Sequence, residues 1–168
     1  MQLFRSSVPV KGEDMGVKIS DKLTPDGRKF EKMLKELAAL ETRVGFQAGE
    51  ATDDKGVDIC DIAAWNEVGT IHIPSRPFLR DSVDNNVDKI NAMLKAKKQD
   101  LLSGASAEQV LKEIGLFQKD LIQETILEGS FEPNADLTIK RKGSDKPLVD
   151  TGRMLQSVNY VIKKKGSD

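Results

Sequence analysis

A chain of 168 residues has the length of one ordinary domain, and 38% hydrophobic with 32% charged residues describes a folded protein with a polar surface, not a disordered one. Lys plus Arg, 26, almost balances Asp plus Glu, 27, and the formal net charge of -1 leaves no global field to draw the protein onto nucleic acid or an anionic membrane. One Cys and one His exclude an internal disulfide and a zinc site with four Cys or His ligands from a single chain.

Residues 1–27 carry Pro9, Gly12, Gly16, Pro25 and Gly27, which predicts an N-terminal arm with one short strand at 15–20. The arm has no continuous apolar h-region, so the protein is expected to stay in the cytoplasm where it is made. From 26 to 41 the spacing of Phe30, Met33, Leu34, Leu37 and Leu40 predicts an amphipathic helix, with Thr24 or Asp26 near its cap. Val44 and Phe46 then share one face of a strand. The segment 56–65 is helix or strand by periodicity alone, and a short helix is the expectation.

After the run Gly69–Arg80, the positions Phe78, Leu79, Val83, Val87, Ile90 and Leu94 step by three and four, which predicts one long helix with Ser75 as its cap. Ser106 and Gln109 have capping-box spacing before a third helix, which runs to about Glu128 on Val110, Ile114, Phe117, Leu121 and Thr125. Turn formers and charges fill 129–150, read as a mobile loop. A short helix at 152–157, capped by Asp150 or Thr151, and a strand with Val158, Tyr160 and Ile162 alternating complete the pattern. The expected fold is α+β: a small, mainly antiparallel sheet packed against two or three amphipathic helices, with a long loop before the C-terminal strand. Residues 28–168 form its single domain.

Chemistry-bearing constellations are sparse. His72 lies between two isoleucines beside a proline, a loop position and not that of a catalytic base. Cys60 sits in an apolar run, where a buried thiol is the commoner role. Asp53, Asp54 and Asp58 cluster without the terminal Glu of a calcium loop, and no phosphate-cradling Gly motif is present. Leu148 to Gly152 reads Leu-Val-Asp-Thr-Gly, like one loop of an aspartic protease, but Arg153 follows in place of a small residue, and helix capping is the simpler account. The basic runs Lys140, Arg141, Lys142 and Lys163–Lys165 lack interleaved aromatics; brought onto one face they would touch nucleic-acid phosphates in a salt-sensitive, sequence-blind way. No cofactor or metal is expected.

Two segments together resemble bacteriophage virion-morphogenesis proteins, the tail-completion or neck proteins related to lambda-like minor tail protein Z and to Mu-like head-to-tail joining proteins. In the first, Trp65 and Glu67 precede Gly69-Thr70, and Pro74, Arg76, Pro77, Phe78, Leu79 and Arg80 follow. In the second, Pro147 to Arg153 reads Pro-Leu-apolar-Asp-Thr-Gly-Arg, with Ser157 beyond it. The match spans roughly 42–163, and Val68 stands where the family often has Phe. The resemblance implies a non-enzymatic virion subunit assembled in the host cytoplasm. Copies would form a ring, a hexamer for instance, at the head-tail connector, with connector and tail proteins as partners and transient DNA contact. It implies assembly roles for Trp65, Glu67, Pro74, Arg76, Pro77, Phe78, Arg80, Asp150, Thr151 and Arg153, and phosphate contact for Lys140, Arg141 and Lys142. Arg76 and Arg80 would make charge-assisted bonds within or between subunits while Phe78 packs; equally, the motif would only turn the chain and seed a helix.

Overall fold

The computed structural model describes residues 24–166. The arm expected at 1–27 and its strand at 15–20 therefore lie outside the described residues, except for 24–27, which cap and open the first helix. That helix, α1 (Pro25–Ala39), starts as its sequence suggests: the Thr24 hydroxyl accepts from the Gly27 N–H at 3.1 Å, Pro25 occupies the first turn, and Asp26 meets the positive helix end. It stops two residues before the expected 41, because Leu40 is extended and opens β1 (Leu40–Gly45). β1 pairs antiparallel with β2 (Asn159–Lys164), in register from Leu40 opposite Lys164 to Gly45 opposite Asn159. The sheet is this two-stranded ribbon.

α2 (Ile59–Val68) settles the ambiguous segment as a helix. Asp58 caps it, accepting from the Cys60 N–H at 2.9 Å and, across the turn, from the Gly49 N–H at 2.6 Å. The single long helix expected from Phe78 is instead two, α3 (Phe78–Asp84) and α4 (Val87–Leu102). The break falls at Asn85 and Asn86, where the Asn86 side chain donates to the Ser82 carbonyl and its backbone leaves the helical region; Asn competes with the helix for the same backbone groups. The apolar period runs across the break unaltered.

α5 (Ala107–Glu128) follows the Ser106 cap as expected, with the Ser106 hydroxyl accepting from the Gln109 N–H, but the box is half formed because the Gln109 amide reaches forward to Glu113. This helix is the spine: it packs on both strands, on α3 and on α4. Gly115 makes the approach to the ribbon feasible, since a Cβ there would lie 2.7 Å from the Tyr160 ring and 3.0 Å from the Thr42 hydroxyl. At the other face Lys97 of α4 reaches Glu113 of α5 and Asp100 of its own helix.

The segment 129–150 is not one long loop. It contains α6 (Asp136–Lys142), ended by Gly143 in the left-handed region, and it sends Leu148 into the core. α7 (Arg153–Ser157) follows, capped by neither Asp150 nor Thr151: Gly152 occupies the cap position at φ 78° and ψ 0°, with no side-chain hydrogen bond. The core joins Ile59 and Ala63 of α2, Phe78 of α3, Ile122 and Ile126 of α5, and Met154 of α7 with Leu148 and Val158. Phe46 and Phe78 meet edge to face, ring centres 5.9 Å apart.

Candidate functional site

The two motifs become two tight corners on either side of one cleft. The first corner begins where α2 ends: Gly69, at φ 78°, returns its N–H to the Trp65 carbonyl at 2.9 Å. Glycine is required twice over, because a Cβ would also lie 2.9 Å from the Ser75 nitrogen of the returning chain. The Thr70 hydroxyl accepts from the His72 and Ile73 N–H groups, and the Thr70 N–H bonds the Ile73 carbonyl, closing a turn whose tip, Ile71, is 97% exposed. The Arg76 N–H pins the return to the Asn66 carbonyl at 2.6 Å. Pro77, with φ -77° and ψ 58°, is the centre of an inverse γ-turn in which the Phe78 N–H bonds the Arg76 carbonyl at 2.8 Å.

Ser75 does not cap α3, because its hydroxyl donates to the Glu67 carbonyl at 2.9 Å. Glu67 does the capping from a different helix: its carboxylate accepts from the Leu79 N–H at 2.8 Å and the Arg80 N–H at 3.1 Å. Two orphan donors and the positive end of α3 thereby find an anion, and α2 is tied to α3. The acidic residue and the Phe-Leu-Arg of the first motif are thus one interaction read from two ends.

Arg76 is 5% exposed. Its Nε–H donates to the Glu132 carbonyl at 2.8 Å; one terminal nitrogen donates to the Asn66 side-chain oxygen at 3.2 Å, and the other to the Pro133 carbonyl at 3.2 Å and the Asn134 side chain at 3.3 Å. It fastens the start of the 129–150 segment to α2. All four acceptors are neutral, and among the described residues no carboxylate comes within ion-pair distance of it. Burial accordingly pulls the guanidinium below its usual pKa, with the more distant Glu132 carboxylate opposing. Its charge-assisted bonds lie within the chain; Arg80 is exposed, and its backbone N–H bonds the Glu67 carboxylate.

The second corner turns about Leu148. The Val149 N–H bonds the Pro147 carbonyl at 2.6 Å, and Leu148 takes φ 57°, the rarer and strained form of the γ-turn. Burial of its side chain in the core opposes that strain. Arg153 then reaches across to the acidic turn before α2, pairing with Asp54 at 2.6 Å and donating to the Thr52 carbonyl at 3.4 Å. Asp53 organises that turn by accepting from the Lys55 and Val57 N–H groups. The Val57 bond is the chief reason its carboxyl sits below the ordinary range.

Between the corners and α6 lies a cleft of about 330 Å³. It gathers Pro74 and Arg76 from the first motif, Asp150, Thr151 and Arg153 from the second, and Arg141 and Lys142 from the basic run, over an apolar floor that includes Ile59 and Met154. The Lys142 ammonium donates to the Lys146 carbonyl. Burial pushes its pKa down, nearby Asp150 opposes, and Arg76 and Arg141 push the same way as burial. The remaining expected residues stand elsewhere: Trp65 is 43% exposed on α2, Glu67 and Arg80 frame the start of α3, Phe78 is wholly buried, Pro77 is partly so, and Lys140 is exposed on α6. Asn66, Asn134 and Leu148 were not expected; Asn66 sits inside the first motif and Asn134 follows Pro133 in irregular chain, but nothing local marks either as a partner of Arg76.

Among the described residues no group of three or more His, Cys, Asp or Glu is placed to hold a metal ion, and no helix is long and apolar enough to cross a membrane. The chain matches no family model, no curated protein and no solved structure.

Proposed function

We propose that this chain is a structural subunit of a bacteriophage virion, a tail-completion or neck protein that forms a ring of copies where head and tail join. The observation that supports the reading is how the motif residues divide. Arg76, Glu67, Pro77 and Phe78 are consumed inside the subunit as ties, cap, corner and core, and they hold a stiff edge. That edge turns Trp65, Val68 and Ile71 outward, the last two 71% and 97% exposed. Apolar side chains held out on rigid backbone suit contact with another protein, since little ordering entropy is then lost on docking. The nearly balanced charge leaves little like-charge repulsion between copies, which suits a subunit that packs against itself.

The test is electron microscopy of particles made without this protein. Filled heads and separate tails accumulating side by side are expected; joined, infectious particles would refute the proposal. The nucleic-acid reading has less support in the geometry. Lys163 faces Glu41 in the strand register, and Lys142 is engaged at the cleft. DNA retention that collapses with added salt would reinstate it.

A further inference from the structure

We propose that the cleft between the two corners is a carboxylate site that takes an acidic segment of a partner protein, a Glu or Asp flanked by an apolar residue. The statement deepens the assembly reading and rests on it for the partner's being a protein.

Three observations carry it. First, a guanidinium that is 5% exposed forms part of the cleft wall with only neutral oxygens as partners. Buried charges are ordinarily matched by an opposite charge, and here no carboxylate among the described residues lies within ion-pair distance, Glu132 acting only from farther off. The four recorded bonds use four of the five guanidinium N–H groups, which leaves one donor on the nitrogen that bonds Asn66. Second, Lys142 and Arg141 stand at the same cleft, and Arg76 and Arg141 both depress the Lys142 pKa, so three cations converge on one concavity that Asp150 and Asp53 balance only in part. Arg153 also lines the space, but Asp54 already pairs with it. Third, part of the lining is apolar, with Ile59, Ile62, Leu148 and Met154 sharing the cleft with the cations. A carboxylate on an aliphatic stem would meet both surfaces.

Nucleic acid fits this site less well than an acidic peptide. A duplex backbone is read by an exposed row of cations, whereas here the Arg76 guanidinium is recessed and two carboxylates, Asp53 and Asp150, line the same concavity. A single carboxylate meets less repulsion from them than a line of phosphates does.

The probe is acetyl-Leu-Glu-Leu-amide, titrated into the full-length protein labelled with nitrogen-15, with the Gln counterpart as control. The expected result is saturable movement of the Arg76 side-chain N–H and of the 150–153 amides, with a Kd of about 1 mM, and at least tenfold weaker binding of the Gln peptide. The double variant Arg141→Gln, Lys142→Gln should weaken the Glu peptide about tenfold while its thermal unfolding stays within about 2 °C of wild type. Arg76→Lys should weaken it similarly, because Lys keeps the charge and loses the fork. Equal binding of both peptides, no movement up to about 10 mM, or a folded double variant that binds unchanged would overturn the site. So would a short DNA duplex that binds there in place of the peptide. Ring formation is scored separately on the same protein by microscopy. Rings from a wild type that ignores the peptide sink the carboxylate site alone, and a bound peptide with particles maturing normally in the protein's absence sinks the neck reading alone.

Discussion

The corner region, residues 66–78 with 147–153, and the helix pair α1 and α4 make opposite use of their side chains. The corners are irregular in sequence, full of Pro and Gly, yet they bury Phe78, Arg76 and Leu148 and fix the path of three helices. α1 and α4 have regular amphipathic spacing and bury no residue; Phe30, Leu34, Val87 and Leu94 all remain exposed. Periodicity reports that a helix has an apolar face. It does not report whether that face has been covered.

The contrast is broken most directly by Phe78→Ala, which empties a wholly buried ring site against Phe46 and should cost about 3–5 kcal/mol in denaturant unfolding. Arg76→Met comes next. It leaves the Glu132 and Pro133 carbonyls and two Asn side chains without their donor, at about 3 kcal/mol, whereas Arg80→Ala should stay within about 0.5 kcal/mol. Stable Arg76→Met protein that has lost only its self-association would move Arg76 from the fold to an interface. Glu67→Ala removes the cap of α3 and should cost about 1 kcal/mol, visible as faster amide exchange at Leu79 and Arg80.

Smaller still, Leu94→Ser on the uncovered face of α4 should change stability by about 0.5 kcal/mol or less, and an unfolding loss of several times that would mean the face is covered within the subunit. The smallest effect is electrostatic. Lys97, chiefly, and Gln109 hold the Glu113 carboxyl below its ordinary 4.5, so its contribution is present above that pH and is lost as pH falls through the depressed value. Asp100 first, and Glu113 next, hold the Lys97 ammonium above 10.5, so its contribution is present below that pH and is lost as pH rises through the raised value. The packing of α4 on α5 should loosen slightly at both extremes, and Glu113→Gln should lessen the acidic loss, leaving the part that comes from Asp53, as followed by thermal unfolding across pH.

Local signals in the sequence reached α1, β1, α5 and β2, because Thr24, Ser106 and the apolar periods act within a few residues of themselves. They did not reach the break at Asn85 and Asn86, where spacing continues and only the side-chain competition of Asn interrupts the helix. α6 was hidden in a stretch dense with charge and turn formers, and α7 begins on a glycine where a polar cap was expected. At the site, the motif residues were legible as a group, but their tasks were not. Glu67 reaches twelve residues ahead to its backbone partner and Arg76 fifty-six residues to its own, distances over which no pattern in the chain speaks.

The ribbon pairs Leu40 with Lys164 and Gly45 with Asn159, positions more than a hundred residues apart. On a ribosome adding ~5–20 residues per second, β1 waits on the order of ten seconds for its mate. Throughout that interval Val44 is without the closing strand, and the nascent chain carries an unpaired β edge until β2 has been made.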